Sequence, residues 1–185
     1  MLFKTNAHEA FILATISALL YWGGFELQGL LFKFTEYIPG VNWFYLPAGL
    51  RVVLILVAGV FGAIGVTVAT LIIDLRHIQD IQGLSLLFTS IVSGFGPLLA
   101  MRLVLREHDE QGHHKFNAPK LMQFALIYAL TNAVLHQFVW WYFQRQGSFA
   151  LTDVWPMFVG DLTGSLAFLY GWKFLMRKRH IAPVE

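Results

Sequence analysis

Four ionisable side chains lie inside otherwise apolar stretches of this 185-residue chain: Glu26, Arg51, His136 and Asp161. A charge in the hydrocarbon core of a bilayer is costly, so such residues usually pair, face a bundle interior or serve function. Arg51 could pair with Glu26 or Asp161, which would offset much of the desolvation of either charge. In the topology predicted below, each residue lies at a depth of roughly 6–11 Å from the same membrane face. We therefore expect the four side chains to converge on one polar level.

A stripe of side chains spaced by four residues adds polar groups at that level. Tyr128, Asn132, His136 and Trp140 share one face of a predicted helix. Together with the ionisable residues they predict an outward-facing polar pocket. Three interpretations stay open: a structural ion pair with a packed histidine, a ligand-binding or sensing site, and a proton relay. In the second, Arg51 anchors an anion or a partner and the two acids are its counter-ions.

The composition restricts the class of protein that could present these residues. Apolar residues make up 57% of the chain and charged residues 13%, about half the charged share of an ordinary soluble domain. Lipid must therefore solvate many side chains. The absence of cysteine excludes disulfides, thiolate metal sites, iron–sulfur clusters and covalent haem attachment. A net charge of +2 without a basic stripe makes nucleic acid an unexpected partner.

The stretch 106–120 is the most hydrophilic of the chain, and its first part, residues 106–114, contains three histidines and three carboxylates. It lacks a helical pair of ligands or a closed ligand pattern, so we interpret it as solvated charge and expect no bound metal. A haem is not expected either, because His136 has no second histidine at mid-span. Phosphate-binding, nucleophile-elbow, zinc-protease and dinucleotide motifs are absent as well. We therefore expect no cofactor and no enzymatic activity.

Hydropathy predicts an all-α, polytopic membrane bundle that forms one integral membrane domain over residues 1–185. The apolar block 46–73 would reach about 42 Å as one helix, whereas a bilayer core is about 30 Å thick. We therefore divide it near Gly59 into two short helices, with one tilted helix and five spans as the alternative. The six predicted spans are residues 10–32, 46–58, 60–74, 84–105, 121–143 and 155–176.

The positions of Lys and Arg predict the orientation of these spans. Basic residues concentrate in the segment 102–120 and in the C-terminal tail, so both are expected on the cytoplasmic side. With six spans the N-terminus is cytoplasmic too. The first apolar stretch continues past the length of a signal peptide and lacks a cleavage site, so we expect it to be retained. The expected location is a bacterial inner membrane.

Small residues recur at a spacing of four, which allows helices to approach closely. Ala10, Ala14 and Ala18 form such a ladder in the first span, and Gly160 and Gly164 form a pair in the last. Packing inside the bundle is one interpretation. The other is a docking seam for a second membrane protein, for which the alanine ladder is the better candidate.

The run Pro47-Ala48-Gly49-Leu50-Arg51, followed by Gly59 and a second short apolar segment, resembles the opening half of the bacterial MASE-type integral membrane sensor domain. The segment 160–164, Gly-Asp-Leu-Thr-Gly, is similar to the final helix of that domain. The resemblance implies sensing, either directly or through a membrane partner. Members of that family usually carry a fused output domain, whereas this chain ends about ten residues after its last span. The signal would therefore pass to a separate membrane or cytoplasmic protein.

Two other functions are compatible with the sequence. Six spans, an alanine ladder on the first helix and no ATPase also resemble the substrate-binding subunit of an energy-coupling-factor transporter, whose ladder docks on a shared transmembrane subunit. No vitamin-recognition motif accompanies that feature. A third alternative is an accessory subunit of a larger membrane complex, with the small-residue seams as its interface.

Overall fold

The computed structural model describes residues 6–77, 83–104, 118–143 and 151–179, and nearly all of them are helical. The predicted all-α bundle is therefore confirmed. Between the first two helices lie a short 3-10 turn and a two-stranded antiparallel hairpin, which the sequence did not predict. The charged segment 106–114 lies outside the described residues. The elements are α1 (Ala7–Leu31), the turn Lys33–Thr35, β1 (Glu36–Ile38), β2 (Val41–Asn42), α2 (Leu46–His77), α3 (Gly83–Val104), α4 (Ala118–Tyr142) and α5 (Leu151–Arg179).

Three helices, α1, α2 and α3, are long and apolar enough to cross a membrane. Large apolar side chains project from their surfaces, including Phe11, Leu30 and Val57, each more than two-thirds exposed. So much exposed apolar surface fits lipid better than water. The protein is a membrane-embedded helical bundle, and the six predicted crossings stay a prediction.

Helix α2 is broken at Gly59. The backbone there has φ 56° and ψ −128°, a left-handed conformation that glycine adopts without steric cost. A Cβ atom built on Gly62 would lie 2.5 Å from the carbonyl oxygen of Leu54. In a straight helix those residues would be about 12 Å apart along the axis. The two halves of α2 therefore fold back on each other at Gly59, the residue near which the sequence divides this block.

The second half of α2 runs parallel to α1. Gly65, near its start, packs against the backbone of Ala14, and the guanidinium of Arg76, near its end, lies 4.5 Å from the ring centre of Trp22. The first half runs the opposite way, because its first residue, Leu46, bonds to Gln28 near the end of α1. The chain therefore passes the length of the bundle three times between the starts of α1 and α3.

The alanine ladder of α1 packs inside the chain. A Cβ at Gly65 would contact the carbonyl of Ala14, the side chain of Ser17 and the amide of Ala18. The ladder thus lies where α1 and α2 approach most closely, and Ala10 continues it one turn earlier as a half-buried residue. These positions serve the internal packing that was one of the two interpretations.

The glycine pair of α5 also packs inside the chain. Gly160 lies against the carbonyl of Asn42, and Gly164 against that of Tyr45. The amide of Tyr45 in turn donates to the carbonyl of Gly160 at 3.1 Å. A side chain at either glycine would push α5 away from the chain segment that leads into α2, so both glycines fix the start of that helix.

Candidate functional site

A cavity of about 330 Å³ lies at the end of the bundle where α1 ends, α3 and α5 begin and the hairpin sits. Its volume lies at the lower end of the range of small-molecule sites, roughly 300–1,000 Å³. Every helix contributes a polar side chain to its wall. These include Tyr21 from α1, Arg51 and Thr70 from the two halves of α2, Thr89 from α3, Asn132 from α4 and Asp161 from α5.

Arg51 is the buried cation of the cavity, with only 4% of its surface exposed. Its Nε and Nη2 groups donate to the hydroxyl of Tyr21 at 2.9 and 2.6 Å. Longer bonds of 3.4 Å run from Nη2 to Tyr45 and from Nη1 to Tyr128. The rings of Tyr21 and Tyr45 also lie 5.2 and 5.3 Å from the guanidinium carbon, within range of cation–π attraction. The hydroxyls of three tyrosines thus accept hydrogen bonds from the buried guanidinium.

Asp161 is the buried anion of the same cavity and is 2% exposed. The side-chain amide of Asn132 donates to its Oδ2 atom. The carboxylate also attracts Arg51, whose hydrogen bonds go to phenols instead of this acid. The two charges therefore compensate each other across the cavity without the direct pairing that the sequence suggested. This attraction offsets part of the cost of burying each charge.

His136 lies on the same wall in a defined tautomer. Its Nδ1 atom is 2.9 Å from the backbone carbonyl of Asn132 and must carry the proton, because a carbonyl oxygen only accepts. Its Nε2 atom lies 3.1 Å from the hydroxyl of Ser93, which donates to it when the imidazole is neutral. The ring packs edge-to-face on Trp140 at 6.0 Å. The predicted stripe on α4 is buried along its length, from Tyr128 to Trp140.

Glu26 does not belong to this site, and its predicted convergence with Arg51 is wrong. Its side chain is exposed and accepts a hydrogen bond of 2.8 Å from the indole of Trp22. Five residues separate it from Tyr21, which corresponds to about 140° around the helix. Depth along α1 was therefore insufficient to predict a contact, because Glu26 lies on a different face from the one that Tyr21 turns toward the cavity.

The hydroxyls of Tyr21 and Tyr45 and the small hydroxyl side chains of the site were not predicted from the sequence. A periodic signal for them exists. The buried residues of α1 are Ser17, Tyr21 and Gln28, polar positions of one helical face in an otherwise apolar segment. A similar stripe of hydroxyl residues spaced by four runs along α3, and the members that line the cavity are Thr89 and Ser93.

Two buried polar atoms of the cavity wall have no hydrogen-bond partner in the described part of the chain. They are Oδ1 of Asn132 and Oγ1 of Thr70, in side chains that are 1% and 6% exposed. A buried polar group without a partner typically costs 1–3 kcal/mol. Because both side chains line a cavity large enough for about ten waters or one small molecule, these atoms favour an occupied cavity.

The β1–β2 hairpin forms the roof of the cavity. Glu36, Gly40 and Asn42 line the cavity from above. Gln28 ties this segment to α1, since its side chain donates to the carbonyl of Phe44 at 2.9 Å and accepts from the amide of Leu46 at 3.0 Å. The connection between α1 and α2 is therefore an ordered cover held by a buried glutamine.

Fold and cavity together define a membrane-embedded helical bundle with a chamber of ligand size, into which buried polar side chains project. Comparisons with protein-family models, with curated proteins and with solved structures found no match to this chain.

Proposed function

We propose that this protein is a membrane-embedded sensory module that recognises a small polar molecule in the cavity beneath the hairpin. The observation that carries the proposal is the cavity itself, which is lined by a buried cation, a buried anion and two buried polar atoms without partners among the described residues. A purely structural ion pair would favour direct contact and dense packing around both charges. Here the charges face a chamber instead.

The position of the cavity supports a signalling role. Arg51 belongs to the Pro-Ala-Gly-Leu-Arg run, and Asp161 belongs to the Gly-Asp-Leu-Thr-Gly segment, the two stretches that resemble MASE-type sensor domains. Both residues line the same chamber. In this proposal, occupancy of the chamber changes how the bundle contacts a separate regulatory protein, and that protein carries the output.

The proposed topology has six membrane crossings in a bacterial inner membrane. Six segments supply these crossings: α1, the first half of α2, the second half of α2, α3, α4 and α5. The first three alternate in direction. The cavity lies at the end where α1 finishes, which faces outward if the N-terminus is cytoplasmic. The basic residues near the opposite end support that orientation.

Two other functions stay as alternatives. A transporter subunit that binds substrate would also need a chamber, but its docking ladder at Ala14 and Ala18 is covered here by Gly65 of the same chain. An accessory subunit would need an interface and no ligand. The void with its unpartnered atoms favours ligand recognition over that last alternative.

The test is to purify the full chain in mild detergent and identify by mass spectrometry every small molecule and protein that stays bound. Asn132→Leu is the cavity variant, because it removes the unpartnered oxygen and adds apolar bulk to the wall. Glu26→Gln is the matched control outside the cavity. We expect one small molecule to co-purify with the native chain and with Glu26→Gln. The bound amount of that molecule should be at least about tenfold lower in Asn132→Leu.

The co-purified proteins separate the alternatives. A kinase, a cyclase or another regulator supports the sensor, whereas a second membrane subunit with an ATPase supports the transporter. Bound proteins together with no cavity-dependent small molecule would contradict ligand recognition and leave the accessory subunit.

A further inference from the structure

We infer that the ligand of this cavity is a small organic cation, such as a primary ammonium compound. It binds between Asp161, Asn132 and Glu36 of the hairpin. This inference rests on the proposed ligand-binding function and specifies the chemistry of its ligand. It differs from the expectation that Arg51 anchors an anion. Three observations support this inference. Most N–H groups of Arg51 are already engaged, the wall atoms without partners can accept hydrogen bonds, and acidic side chains lie at the cavity mouth.

The guanidinium of Arg51 has few donors left for an anion. Its four hydrogen bonds engage four of its five N–H groups with the hydroxyls of Tyr21, Tyr45 and Tyr128. An anion could reach more than the one remaining N–H group only by displacing these phenols. The rings of Tyr21 and Tyr45 also cover the guanidinium. Arg51 therefore acts as a fixed internal counter-charge for Asp161.

The two wall atoms without partners can both accept hydrogen bonds. Oδ1 of Asn132 can only accept a hydrogen bond, and it has no partner among the described residues. The nearby carboxylate of Asp161 is also an acceptor, and one of its oxygens already binds the amide of Asn132. The hydroxyl of Thr70 can accept as well. A ligand that satisfies these atoms must bring N–H or O–H donors.

Charge at the mouth of the cavity favours the same class of ligand. Glu36 in the hairpin and Asp74 near the end of α2 line the cavity together with Asp161, so three acids face one arginine. A cleft lined by one sign of charge raises the local concentration of the opposite ion by at least about tenfold. The described residues contain no group of three His, Asp or Glu side chains placed to hold a metal ion. An organic cation, which needs fewer converging ligands, therefore fits better.

The absence of cysteine allows a direct test of charge preference. A single cysteine is placed in the cavity wall as Thr89→Cys, and a second chain carries Phe34→Cys, a position that is 82% exposed at the same end of the bundle. Each purified full-length protein reacts with two thiosulfonate reagents of similar size, one carrying trimethylammonium and one carrying sulfonate. The measured quantity is the ratio of the cationic to the anionic labelling rate.

We expect this ratio to be at least about tenfold higher at Thr89→Cys than at Phe34→Cys. Adding Asp161→Asn should remove most of that preference. Asp74→Asn, at the half-buried mouth, should reduce the cationic preference while Asp161 and Asn132 stay in place. Glu26→Gln should leave the preference unchanged. n-Butylammonium should protect the cavity cysteine, whereas n-butyrate and butan-1-ol should not.

Equal ratios at the two positions, faster anionic labelling in the cavity, or protection by butyrate would overturn the cation inference. Each of these outcomes would leave an accessible binding cavity and hence the proposed function. If neither reagent reached Thr89→Cys while Phe34→Cys reacted, the cavity would be closed to solutes, and both the inference and the proposed function would fail.

Discussion

The two ends of this bundle differ in packing and in the polarity of their buried side chains. At the end near Gly59, Ile55, Ala63 and Leu98 form a dry, fully packed cluster. At the other end, buried polar side chains surround a chamber of about 330 Å³. The same helices, α2 and α3, contribute to both ends. Their sequence therefore changes from apolar packing to polar lining within a few turns.

The difference indicates where stability and function are located. Small residues at the packed end allow backbones to approach closely, as where Gly94 of α3 lies against the carbonyl of Ala63. The polar end also contains close approaches, at Gly160 and Gly164, but it depends in addition on hydrogen bonds to a buried charge. We therefore expect substitutions at the two ends to fail for different reasons: steric overlap at the packed end, and unpaired charge or lost hydrogen bonds at the polar end.

Arg51→Met should produce the largest loss. It leaves Asp161 buried without its counter-charge and removes the donors of three phenols, so the free energy of unfolding should fall by about 3–5 kcal/mol. Denaturant titration in detergent micelles measures this change. The matched control at the packed end is Leu98→Met, a volume-conserving change that should cost less than about 1.5 kcal/mol.

The double variant Arg51→Met with Asp161→Leu tests the cause of that loss. It removes both buried charges, so it should recover part of the stability lost by Arg51→Met. A double variant that is less stable than the single one by the full cost of Asp161→Leu alone would show that the two charges do not interact.

Tyr21→Phe should be the next most destabilising change. It removes the hydroxyl that accepts the two shortest hydrogen bonds of Arg51, and a bond to a charged group contributes about 1.5–3 kcal/mol. Tyr45→Phe is the control, because it removes a hydroxyl 3.4 Å from the same guanidinium and should cost less than about 1 kcal/mol. Equal losses for the two variants would mean that the phenols share the charge evenly.

Gly94→Ala tests the packed end of the comparison. Its methyl group would meet the backbone carbonyl of Ala63 and the hydroxyl of Thr67, so α2 and α3 must separate, at a cost of about 1–3 kcal/mol. Thermal unfolding followed by circular dichroism detects the loss. Gly23→Ala, on α1 with open space around it, should instead stabilise its helix by up to about 1 kcal/mol. Neither substitution should change the charge preference of cavity labelling.

The sequence predicted a division near Gly59 and several residues of the polar end. Chain length against membrane thickness located the break at Gly59, because that argument needs only distances along a helix. Arg51, Asp161, Asn132 and His136 were recognised because polar groups in apolar helices are rare.

The remaining features of the site needed tertiary information. Glu26 shares the depth of Arg51 but not its direction, and a rule about depth cannot separate faces of a helix. Tyr21 and Tyr45 were missed because tyrosine is common near membrane interfaces. Its presence there does not indicate that the hydroxyl bonds to a buried side chain. The hairpin was missed because its strands, three and two residues long, are too short to show an alternating pattern.

Gln28→Met should have a modest effect on stability and a specific effect on access to the cavity. The change keeps the length of the side chain but removes the two hydrogen bonds that hold the segment after the hairpin, at a cost of about 1–3 kcal/mol. If the hairpin is the cover of the chamber, Thr89→Cys in this background should react several-fold faster with the cationic reagent. The exposed Phe34→Cys should react at its former rate, which separates opening of the cover from general loosening of the protein. Unchanged labelling of Thr89→Cys would show that solutes enter the chamber by another route, between helices and not beneath the hairpin.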